Sequence, residues 1–195
     1  MRPAVIETNL ERLTENYHLI RAHADNRPVM AVVKANAYGH GLVRVAQHYE
    51  SLGVEWLAVA LLEEGVTLRK AGVRCPMLVF GGHHPKQISE FLRWDLNLTV
   101  GSLGFFQSVE AVAQQQGTSA NIHLKLDSGM GRIGTRTEGA EALITAAVRS
   151  KVVMLRGIYS HLACTDDPEH PFTALQIERF LDALRIFDDL GEPPP

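Results

Sequence analysis

Short apolar runs alternate with amphipathic stretches along this chain of 195 residues, and the alternation predicts a parallel sheet whose strands are joined by helical crossovers. A first helix is predicted from near Thr8. Thr8 and Glu11 have capping-box spacing, and Leu10, Leu13, Tyr17 and Ile20 recur on one helical face. A strand follows at 29–34 (VMAVVK), then a glycine-bearing loop and a helix over about 42–52. Leu42, Val45, Ala46, Tyr49 and Leu52 form the face it buries, and Gly53 stands where a helix-ending glycine belongs.

The same phrase recurs down the chain. Strand 56–60 leads to a helix that stops at Gly72, and strand 77–80 to a helix with Pro85 in its first turn. Strand 96–100 leads to a helix opened by Ser102 and closed by Gly117. Strand 121–127 precedes a helix over 137–149, and strand 154–161 precedes a last helix over 173–190, closed by Gly191. Six strand–helix units result. A closed eight-unit barrel runs to about 250 residues. An open α/β sheet and a barrel cut before its last two strands both fit this pattern.

Composition narrows the class. With 46% apolar and 21% charged residues, the chain reads as one soluble globular domain with one core. The net charge of −3 and the lack of a basic run give nucleic acid and anionic membrane surfaces no footing as partners. Cys75 and Cys164 lie far apart in no metal or redox spacing, so a reducing cytoplasm is expected. The start, MRPAVIETNL, has no apolar core of a signal peptide, and WLAVALL at 56–62 is too short to span a bilayer.

Candidate chemistry begins at Lys34, which ends the first strand and is followed by Ala35, Asn36, Ala37, Tyr38, Gly39, His40 and Gly41. Barrel chemistry collects at the C-terminal ends of strands. An amine held among Val32, Val33 and Ala35 loses hydration, which favours its neutral, nucleophilic form. The glycines beyond let backbone N–H groups and a tyrosine hydroxyl close on an anion. The plainer reading is a snorkelling lysine at the rim, with Tyr38 and His40 as polar loop residues.

Strand 121–127 alternates apolar Ile122, Leu124 and Leu126 with polar His123, Lys125 and Asp127. Period two puts the polar set on one face, which predicts a wet or charged pocket there; a simple Lys125–Asp127 pairing is the alternative. The loop SGMGRIG contains G-x-G-x-x-G at Gly129, Gly131 and Gly134. A dinucleotide-binding turn needs this motif after the first strand and an acidic residue ending the next. Here it follows the fifth strand, and the sixth ends Tyr159-Ser160-His161. His161 sits at a strand end, as a pocket residue or as a satisfied structural histidine. Nothing in the spacing of His83 and His84 argues for a metal.

Three segments, VVKANAYGHG (32–41), HLKLDSGMGRIG (123–134) and GIYSHLA (157–163), resemble signatures of the alanine racemase family, and the likeness runs over nearly the whole chain. The resemblance implies an α/β fold of the (β/α)8 barrel type with about six of its eight strand–helix units present. Residues 1–195 would be a partial barrel domain binding pyridoxal 5′-phosphate (PLP), without the family's β-rich C-terminal domain. It makes Lys34 the Schiff-base lysine and Tyr38 a contact to the cofactor phosphate. Arg132 would hydrogen-bond the cofactor's phenolic oxygen, and Lys125, often carbamylated in the family, would orient that arginine. His161 would flank the cofactor ring.

The activity implied is interconversion of L-alanine and D-alanine, in a cytoplasmic homodimer that supplies D-alanine for peptidoglycan precursors. Inversion needs an acid–base group on each face of a planar carbanion. In the family one is the lysine and the other a tyrosine from the partner's C-terminal domain, so this stretch alone is expected to be inactive and loosely packed. Two further readings remain: a non-catalytic PLP-binding barrel acting as carrier or regulator, and a Schiff-base aldolase using Lys34 without PLP.

Overall fold

A computed structural model describes residues 5–167 and 169–195, and its contacts divide the chain into two compact units, Met1–Gly81 and Gly82–Pro195. In the first unit a helix over Leu10–His23 precedes strand β1 (Met30–Val32), a tight turn over Lys34–Tyr38 and a helix over Leu42–Ser51. Strand β2 (Trp56–Val59), a helix over Leu62–Lys70 and strand β3 (Met77–Val79) complete it. The three strands pair in parallel, with Met30 beside Trp56 and Leu57 beside Met77. Leu57, Ala58, Val59, Met77, Leu78 and Val79 are all buried, which is why both strands are apolar at every inner position rather than alternating.

The first helix starts one residue later than its spacing suggested. Asn9 caps it, its side chain accepting the Arg12 N–H at 3.0 Å. Thr8 is drawn elsewhere, its hydroxyl donating to the His40 carbonyl at 3.0 Å. A capping box can be read locally, but a tertiary acceptor competed for the threonine. In the helix over Leu42–Ser51 the fully buried face is narrower than expected, limited to Val45 and Ala46.

The second unit carries β4 (Asn97–Val100), β5 (Ala120–Asp127) and β7 (Val153–Tyr159), with a two-residue β6 (Thr135–Arg136) on the end of β5. β4 and β7 pair in parallel with β5, and the β5–β7 register slips between Ile122 and His123, so that His123 faces Gly157. The helices run over Ile88–Arg93, Leu103–Gln115, Ala140–Arg149 and Pro171–Leu190. Ser102 opens the second of them by accepting the Phe105 N–H at 3.2 Å, as its position predicted. β6 is too short to carry a period and had no sequence signal. Among the described residues no helix is long and apolar enough to cross a membrane.

Candidate active site

In the first unit, β1 ends at Val32, and Lys34 lies just beyond it rather than at its last position. Val33 leaves the strand at φ −119 and ψ 16. Ala35, Asn36, Ala37 and Tyr38 then follow in the left-handed region, at φ 52, 57, 51 and 54. A left-handed turn built from side-chain-bearing residues is costly, about 1–2 kcal/mol for each. It persists only where surrounding structure over-determines it.

Several contacts do so. Val33 N–H donates to the Ala58 carbonyl at 2.8 Å, and Ala37 N–H to the Val33 carbonyl at 2.8 Å. Ala35 N–H donates to Glu64 Oε1 at 2.7 Å. Asn36 Oδ1 accepts the Leu42 N–H at 2.9 Å, which joins the turn to the helix over Leu42–Ser51. Ala37 is buried beneath the turn, while Tyr38 is 62% exposed. Lys34 is half-buried; Val33 is buried, but Val32 and Ala35 are exposed. The apolar sleeve expected around the Lys34 amine is therefore not built by its chain neighbours.

In the second unit two of the three polar residues of β5 are buried, and the third, Asp127, is half-buried. His123 and Lys125 are only 6% and 7% exposed. The Lys125 ammonium lies 4.8 Å from the centre of the Tyr159 ring, within cation–π range. Burial lowers the Lys125 pKa to about 8, opposed by the Asp127 charge and assisted by Arg132. Burial likewise lowers His123 to about 4, with Arg156 adding to the effect. Tyr159 is pushed up to about 12 by burial, and its hydroxyl sits 2.9 Å from Thr99 Oγ1.

Asp127 does not pair with Lys125 in a sheet. Its carboxylate accepts the N–H of Gly129 at 3.0 Å and of Gly131 at 2.9 Å, folding the following loop back on the strand. These backbone contacts hold its carboxyl below the usual range against the opposing effect of burial, the largest single influence. The same contacts argue against a dinucleotide turn, because two N–H groups that would face a pyrophosphate are already taken. Two of the loop glycines, Gly129 and Gly134, serve packing. A Cβ at Gly134 would lie 2.8 Å from the Lys125 carbonyl, and one at Gly129 would lie 2.6 Å from the Phe172 ring.

Arg132 is exposed in this loop, and among the described residues it forms no carboxylate ion pair. His161 follows β7, exposed, two residues past its end. Gln176, on the helix over Pro171–Leu190, was not anticipated. It is wholly buried; its amide nitrogen donates to the His161 carbonyl at 3.1 Å and its oxygen accepts the Ala163 N–H at 2.8 Å. Ser128 and Ser160 meet at 2.8 Å beside it. A glutamine inside a long amphipathic helix carries no local signal of such a role. Lys34 and Tyr38 thus belong to one unit, and Lys125, Arg132 and His161 to the other.

The family model for the alanine racemase N-terminal domain matches residues 8–195. Alanine racemase of Desulforamulus reducens is 41% identical over 97% of this chain and 52% of its own length. The crystal structure of alanine racemase from D-cycloserine-producing Streptomyces lavendulae superposes with a TM-score of 0.86 at 34% identity, covering 95% of this chain and 49% of that one. The histidine racemase of Leuconostoc mesenteroides subsp. sake gives a TM-score of 0.88 at 26% identity, covering 99% and 51%. The chain spans about half the length of the relatives it matches. The fold class is the one the sequence predicted: α/β, of the barrel type, in partial form.

Proposed function

The chain belongs to the alanine racemase N-terminal domain family, and on that footing we propose that it is the PLP-carrying part of an enzyme interconverting L-alanine and D-alanine. The observation that carries the proposal is Lys34 itself, an amine set at the end of a parallel strand by a strained and heavily pinned turn. The donor set suits PLP: an amine for its aldehyde, the phenol of an exposed tyrosine for its phosphate, and an exposed guanidinium for its phenolate oxygen. Lys34 would hold the aldehyde carbon, Tyr38 the phosphate and Arg132 the phenolic oxygen, with Lys125 orienting Arg132 and His161 against the ring. When bound, the cofactor supplies an electron sink for the carbanion left at the substrate α-carbon.

Lys34 would then take or return the α-proton on one face of the substrate. The opposite face needs a second group, which we assign to the portion of the relatives' length outside this stretch, in a homodimer. The side chain accepted is not fixed by the fold, since a neighbour of closely similar backbone is named a histidine racemase. A cytoplasmic site and a role in supplying D-alanine for peptidoglycan precursors complete the reading.

Incubating the chain with PLP, reducing with borohydride and mapping the pyridoxyl group tests this. Label on the Lys34 peptide is expected, together with negligible alanine racemisation by these 195 residues alone. Label spread evenly over surface lysines would sink the assignment of Lys34.

A further inference from the structure

We propose that Glu64 is a positioning residue for Lys34, clamping the backbone on its C-terminal side by accepting the Ala35 N–H. The inference rests on the reading of Lys34 as the Schiff-base lysine. Glu64 stands in the first turn of the helix over Leu62–Lys70, three residues after its N-cap, Leu61. A glutamate there ordinarily reaches back to the N-cap N–H, satisfying one of the helix's orphan donors. Glu64 does this with one oxygen: Oε2 accepts Leu61 N–H at 3.1 Å and Ala60 N–H at 2.8 Å.

Its other oxygen does something the helix does not require. Oε1 leaves the helix and accepts the Ala35 N–H, 29 residues back in the chain, at 2.7 Å, the shortest of the three contacts. Ala35 is the first of the four left-handed residues. The first N–H of a helical turn has no acceptor within the turn, and Glu64 supplies one.

β2 and the helix after it therefore take the backbone N–H groups of the residues on either side of Lys34. The Ala58 carbonyl takes the N–H before it, from Val33, and Glu64 takes the N–H after it, from Ala35. The remaining anchors, Asn36 to Leu42 and Thr8 to His40, act further downstream. With Glu64 gone, the turn loses its only side-chain anchor at the lysine end among the described residues. The Lys34 backbone is then free to relax out of the conformation that aims its side chain.

The test compares E64Q and E64A with the unsubstituted chain and with T67G, which weakens the same helix from an exposed position without touching Ala35. Gln at 64 keeps the size but must turn an NH2 donor toward one of the N–H groups. Each protein is incubated with PLP, reduced and digested, and the label on Lys34 is measured relative to that on exposed Lys86 and Lys151. Thermal midpoints are recorded in parallel.

E64Q and E64A are expected to lower that ratio roughly tenfold, the scale of one lost hydrogen bond to a charged group. T67G, with a comparable fall in midpoint, should keep the unsubstituted ratio. Labelled wild type with an unaffected E64Q overturns the inference alone, as does a T67G that loses the ratio equally. No preference for Lys34 in the unsubstituted chain overturns the Schiff-base reading and takes this inference with it.

Discussion

The loops that follow β1 and β5 solve the same problem in different ways. Each must hold a short segment rigid just beyond a strand. After β1 the chain does it with hydrogen bonds on strained, side-chain-bearing residues, most of them exposed. After β5 the Asp127 carboxylate ties the loop down and close packing completes the fit, with Gly129 and Gly134 where a Cβ would strike a ring or backbone. The two lysines differ to match, Lys34 half-exposed and Lys125 buried over Tyr159. Strain held by hydrogen bonds leaves a side chain accessible for chemistry. Close packing fixes a group in place and shifts its titration.

The largest effect should come from breaking the packed loop. Gly134→Ala puts a Cβ 2.8 Å from the Lys125 carbonyl at φ +122, and backbone cannot move as a side-chain tip does. A loss of roughly 3 kcal/mol or more is expected in denaturant titration. A loss under about 1 kcal/mol would show that this loop is not packing-limited.

Acid is a second probe of the packed side. The folded pKa of His123, about 4, lies below the ordinary 6.5, so the unfolded chain binds the extra proton. Stability from this group is full above about pH 6.5 and falls, by roughly 3 kcal/mol, as the pH drops toward 4. Lys125 works in a separate window: with a folded value of about 8 against 10.5, it lets stability rise further as the pH climbs between those values. Unfolding curves across pH, with His123→Phe as control, should show the acid window vanish in the variant.

The smallest effect, and the sharpest contrast, is Ala35→Gly in the strained turn. Ala35 is exposed with φ 52, where glycine carries no steric penalty. Relief of about 1 kcal/mol, partly offset by the greater freedom of glycine in the unfolded chain, should leave a net gain of a few tenths of a kcal/mol. Thermal unfolding that instead shows destabilisation would mean the turn is less strained than its dihedrals indicate.

Much of the architecture was legible because it rests on local periodicity. The six main strands and the helices after them follow from apolar runs and glycine or proline punctuation, and Ser102, Gly53 and Gly191 end or open helices where expected. Lys34 and His161 could be singled out near strand ends and Lys125 on the polar face of a strand, while Arg132 was marked by the resemblance of its loop to the family signature. The left-handed turn could not, since Ala-Asn-Ala-Tyr holds no glycine to announce positive φ. Glu64 and Gln176 could not either. Each sits in an ordinary helix position, and its meaning lies in a partner far along the chain.

By itself, then, the sequence determined the strand–helix order, the faces that are buried and the residue types available for chemistry, because these depend on neighbours within a few positions. Tertiary structure decided that His123 and Lys125 on β5 are buried, that Gly129 and Gly134 serve packing, and that Asp127 fills the N–H groups a phosphate would need. It also decided that a carboxylate 29 residues further along the same unit accepts the N–H of the residue after Lys34. Desolvation and long-range hydrogen bonds exist only once distant segments meet, so no local pattern encodes them.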